Sequence, residues 1–149
     1  MENLRFRPKN NFINEAKWEE LYALTEYWLS ELKFFKDEIK FLEDIINKYF
    51  IWLTKEENID KVREQIVVLT KLHKEVDELI DRTNKHLNHI AELLTNPFTY
   101  DEYKFREEHA VLEEDFTKAF KAYKNAKKEI FKITEHVMDT EKLQHLLED

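Results

Sequence analysis

At 149 residues, 42% of them hydrophobic and 38% charged, the chain is long enough to bury one core, too short for a second, and too rich in apolar residues to stay disordered. Its formal charge of −8 repels the phosphates of nucleic acid and anionic lipid, and the absence of Gly and Cys removes phosphate-cradling loops, disulfides, thiolate nucleophiles and cysteine zinc sites. Ser30, the only serine, lies in a helical run with no strained nucleophile turn, and no apolar stretch approaches the roughly 18 residues of a membrane span, so a cytoplasmic protein without catalytic motif or cofactor is expected, with neither nucleic acid nor membrane as partner.

Residues 1–13 read as an arm rather than a helix. They carry Leu4, Phe6 and Phe12 around Pro8, with the chain's one basic cluster at Arg5, Arg7 and Lys9.

A first helix is predicted over 14–53, with Asn14 as its cap and Ile13 and Trp18 spaced as a hydrophobic staple. Apolar residues at alternating steps of three and four mark its seam: Trp18, Leu21, Thr25, Trp28, Leu32, Phe35, Ile39, Leu42, Ile46, Tyr49 and Leu53. On this helix Tyr27, Phe34 and Phe41 recur every seven residues on a face that a lone three-helix bundle leaves in water. An aromatic stripe there calls for a cover, and these three residues are the candidate interface. The arm, through Phe6 and Phe12, is the competing cover.

A second helix is predicted over 55–95. It opens on a capping box formed by Thr54 and Glu57 and stops at Asn96-Pro97, because the residue before a proline disfavours the helical region. Its seam reads Ile59, Val62, Ile66, Leu69, His73, Val76, Ile80, Thr83, Leu87, Ile90 and Leu94. On this register His73 faces the layer of Ile39 and Tyr123, within reach of the phenol.

A third helix, 100–138, starts at the Thr99 and Glu102 capping box, with Phe98 and Tyr103 repeating the staple spacing. Its seam is Phe105, His109, Leu112, Phe116, Ala119, Tyr123, Ala126, Ile130, Ile133 and Val137. Beyond it, residues 139–149 lose the apolar step, and Leu143, Leu146 and Leu147 suggest a re-phased short helix folding over the bundle end.

Connections this short join antiparallel neighbours. The fold class is therefore all-α: an up-down-up antiparallel bundle of three long helices over 14–138, preceded by the arm and followed by a short C-terminal helical extension. Counting back from the Asn96-Pro97 turn places His86 opposite His109, with His89 one turn further on. None of the six histidines has Glu three positions before it, so the pairing motif of di-iron bundles is missing, and His-Glu-x-x-His is missing too. His86, His89 and His109 remain the candidate metal ligands, while Glu113 is expected to face Arg82 as an ordinary ion pair. The reading that follows is a non-enzymatic interaction or scaffold protein, associating through Tyr27, Phe34 and Phe41 with a second copy as a homodimer or with another helical protein. The alternative is a metal- or small-ligand-binding bundle with its site near His86 and His109.

Overall fold

The computed structural model describes residues 16–48, 59–96 and 102–148, with side chains to Glu135. They form three helices, α1 (Trp18–Lys48), α2 (Ile59–Thr95) and α3 (Glu102–Glu148), with no strand among the described residues. Nor, among them, is any helix long and apolar enough to cross a membrane.

Helix α1 begins at Trp18 rather than at 14. Its first bonds run from the amides of Glu20 and Leu21 to the Lys17 carbonyl, and the Lys17 amide donates to Glu20 Oε1 at 3.3 Å. Glu20 thus supplies the carboxylate half of a capping box, three residues into the helix from Lys17. Asn14, Ile13, Thr54, Glu57, Phe98 and Thr99, expected to cap or staple the helix starts, lie outside the described residues. At the other end of α2 the expectation holds: the helix stops at Thr95, with the Asn96 amide and the Thr95 hydroxyl both bonding the Glu92 carbonyl.

Contacts across the bundle give the directions. Lys36 meets Asp77 and Glu43 meets His73, so α1 and α2 run antiparallel; Arg82 meets Asp115 and His86 meets His109, so α2 and α3 do as well. Trp28 stacks on Phe116 and Phe35 on Tyr123, so α1 and α3 are parallel. This is the up-down-up bundle. Its C-terminal extension is continuous with the third helix, because α3 runs past the expected break at 138 as one helix to Glu148.

The seams of α1 and α3 are buried as the periodicity predicts, from Leu21 to Ile46 and from Phe105 to Ile133. Helix α2 is turned differently. Val62, Leu69, Val76, Thr83, Leu87 and Ile90 are buried as expected, yet Gln65, Leu72, Leu79, His86 and Leu93 are buried beside them. Ile66 and Leu94 are exposed. The apolar stripe of α2 is wide enough to permit either rotation, and polar groups select between them. His73, expected beside Tyr123, instead lies half-exposed with Nδ1 2.9 Å from Glu43 Oε1 and Nε2 3.4 Å from Asp77 Oδ2. Keeping an imidazole between two solvated carboxylates avoids the desolvation that burial would impose.

The core is in two parts. The larger cluster extends from Trp28, Leu79 and Leu112 to Ile46, Val62 and Ile133. The smaller one joins Ala16, Leu21, Ile90, Leu93 and Phe105. Between them lies a layer of buried polar side chains: Thr25, Thr83, His86, His109 and Glu113.

Candidate functional site

The polar layer is built from one position on α1 and two each on α2 and α3. Thr25 meets its hydrogen-bonding need locally, its hydroxyl donating to the Leu21 carbonyl one turn back at 2.7 Å. His86 and His109 meet theirs across the helices: His86 Nε2 and His109 Nδ1 are 2.8 Å apart, one ring donating its N–H and the other accepting. Their ring centres are 5.0 Å apart, as the register counted from Asn96-Pro97 requires.

Aromatic rings enclose the pair on both sides. Phe105 lies 4.6 Å from His86 at an angle of only 7°, and Trp28 lies 4.8 Å from His109. The column continues through Phe116 and Phe35 to Tyr123, so the two imidazoles sit inside an otherwise apolar stack. Burial in it, reinforced by electrostatic repulsion from the neighbouring His89 and Arg82, lowers the His86 pKa from 6.5 to about 4. At neutral pH His86 is therefore an uncharged imidazole.

Glu113 is the residue that sequence reasoning misplaced. Arg82 pairs with Asp115 at 2.9 Å, while Glu113 turns inward with 0% exposure and both carboxylate oxygens shielded from solvent. It is one turn beyond His109 on the same helix. The available signal was that spacing: a residue four places after a seam position lies on the seam's flank, which a three-helix bundle buries in part.

His89 does not join the pair. It stands edge-on to Phe105, ring centres 5.0 Å apart, on the outer side of the smaller cluster. Among the described residues no three His, Asp or Glu side chains are grouped to hold a metal ion. Outside the pair, a groove of about 810 Å³ follows α2 and α3, lined by Arg82, Lys85, His86, His89, Lys104, Glu107, Glu108 and Val111. The paired nitrogens of His86 and His109 hold a shared proton and tie α2 to α3 at this layer.

The second candidate is the α1 stripe. Phe34 and Phe41 are each 53% exposed and Tyr27 43%. All three lie on the outer face of α1, and partial burial, followed by the nearby Glu31 carboxylate, raises the Tyr27 pKa. The remaining exposed apolar residues, such as Val67, Val111 and Tyr103, are dispersed on α2 and α3 without a seven-residue repeat.

No protein family, curated protein or solved structure matches this chain. Function is accordingly read from these two sites alone.

Proposed function

We propose that this chain is a non-enzymatic interaction protein, a rigid helical bundle that presents the outer face of α1 to a helical protein partner. The observation that carries the reading is the half-exposed stripe of Tyr27, Phe34 and Phe41 on a helix whose opposite face is fully occupied by the core. Fully burying a large apolar side chain is worth about 1.5–3 kcal/mol, so covering the exposed half of three aromatics yields about 3 kcal/mol. A heptad-spaced stripe is also the surface into which the side chains of another helix interlock. The histidine layer supports the same reading from inside, since a polar layer fixes how the helices align and keeps the presenting face in one geometry.

Light scattering and melting of the wild type and of Phe34→Glu with Phe41→Glu test the proposal. The expected result is a folded double variant that no longer associates with the wild type's partner. If the double variant keeps every association of the wild type, the stripe is not an interface and the reading falls.

A second reading, a small-ligand-binding bundle, is favoured by the groove beside His86 and His89. Elemental analysis and native mass spectrometry of purified protein test it directly. A stoichiometric metal or small molecule, lost on His86→Leu, would move the function to the groove.

A further inference from the structure

We infer that the occupant of the α1 stripe is a basic-flanked amphipathic helix of another protein, rather than a second copy of this chain. This deepens the proposal that the stripe is an interface and rests on it. The argument is charge complementarity along the two edges of the stripe.

Successive residues of an α-helix are about 100° apart around the axis, so positions can be placed relative to Phe34. Tyr27 and Phe41 fall within about 20° of it, and Ile45 shares that line. On one side, within about 80°, stand Glu26, Asp37 and Asp44; on the other, Glu31 and Glu38. Glu38 is bonded to Lys127 at 3.1 Å. Glu26, Glu31, Asp37 and Asp44 form no ion pair among the described residues and reach solvent along both margins. The lysines of the helix middle, Lys33, Lys36 and Lys40, stand about 100° or more away, and Lys36 is paired with Asp77.

A second copy laid along this face brings the same carboxylates to both margins. Like charges then face each other along both margins of the contact. A helix with Lys or Arg flanking its apolar seam meets those carboxylates as ion pairs and inserts its apolar residues between Phe34 and Phe41. Charge patterns beside an apolar seam select helix partners in this way.

The probe is a synthetic amphipathic peptide of four heptads, Leu on the seam and Lys on the flanks, beside a twin with Glu on the flanks. Both are titrated calorimetrically into the full chain at low and moderate salt, with light scattering of the protein alone. A monomeric wild type that binds the Lys peptide at least tenfold more tightly than the Glu peptide, less tightly as salt rises, is the expected result. Glu31→Lys with Asp37→Lys should reverse that preference, and Phe34→Glu with Phe41→Glu should abolish binding, with circular dichroism showing both variants folded.

A wild-type dimer that Phe34→Glu with Phe41→Glu splits, and that the Lys peptide does not, makes a second copy the occupant; the inference fails and the interface stands. An affinity for the Lys peptide that rises tenfold on Phe6→Ser with Phe12→Ser makes the arm the occupant, and also overturns it. A monomer that binds neither peptide, with a melting temperature unmoved by Phe34→Glu and Phe41→Glu, overturns both the inference and the interface.

Discussion

Acidification tests the buried imidazole pair quantitatively. His86 takes up a proton at 6.5 when unfolded and at about 4 in the bundle. Because the folded value is the lower one, the unfolded chain binds the proton first; stability is fully present above pH 6.5 and is lost as the pH falls toward 4. At about 1.4 kcal/mol per pH unit the separation amounts to about 3 kcal/mol, of which about 2 kcal/mol is already lost at pH 5. A domain of this size has only about 5–15 kcal/mol in total. Urea unfolding at pH 7, 6 and 5, followed by circular dichroism, measures the loss for the wild type and for His86→Gln. Carboxylates titrate in both proteins, so the difference between the two profiles reports the imidazole pair that His86 forms with His109. The variant should lose less stability than the wild type between pH 7 and 5, by about 2 kcal/mol. Two parallel profiles would refute the claim that burial holds His86 neutral.

Other side chains of the layer give sharper single measurements. Thr83 has a buried hydroxyl with no hydrogen-bond partner among the described residues, so Thr83→Val should raise stability by about 1 kcal/mol in urea unfolding; a loss of that size would show the hydroxyl to be bonded. The Trp28 indole N–H is in the same position, which makes Trp28→Phe cost under about 1.5 kcal/mol where Trp28→Ala costs about 3–5 kcal/mol. Equal losses from the two Trp28 variants would mean that the N–H, not the ring, is what the site needs. Glu113→Leu replaces a fully buried carboxyl group with an apolar side chain of similar size, ends its desolvation cost, and should be neutral or stabilising by about 1–4 kcal/mol. A loss of 3 kcal/mol or more on calorimetric melting would instead make the carboxylate a strongly bonded member of the layer.

Periodicity alone was enough for α1 and α3, where every described seam position from Leu21 to Ile46 and from Phe105 to Ile133 is buried. It was insufficient for α2, where Leu72 and Leu79 on one flank compete with Ile66 and Ile80 on the other. There the rotation depends on which polar groups find partners, and those partners, Glu43 for His73 and His109 for His86, lie on other helices. The His86–His109 contact was legible because it follows from a turn position and a helix direction, neither of which depends on how α2 is rotated by one residue. Burial of Glu113 was not. Next to Arg82 in the facing register, a glutamate looks like half of a surface pair until Asp115 is seen to take that role. The stripe was legible as an anomaly in the pattern, while its acidic margins became meaningful only once the core side of α1 was known.

The polar layer divides the molecule along its length as well as fixing its alignment. Apolar packing transmits cooperativity, and between Leu21, Ile90 and Phe105 on one side and Trp28, Leu79 and Leu112 on the other that packing is interrupted by hydroxyls, a carboxylate and a hydrogen-bonded ring pair. The small cluster has far fewer apolar side chains to hold it closed than the large one. Its amides, those of the first turns of α1 and α3 and the last turns of α2, are expected to exchange with solvent faster than those packed on the larger cluster, which native-state hydrogen exchange would measure. The end of the bundle built on the smaller cluster is therefore the one expected to open first, while the heptad stripe from Tyr27 to Phe41 lies alongside the larger cluster.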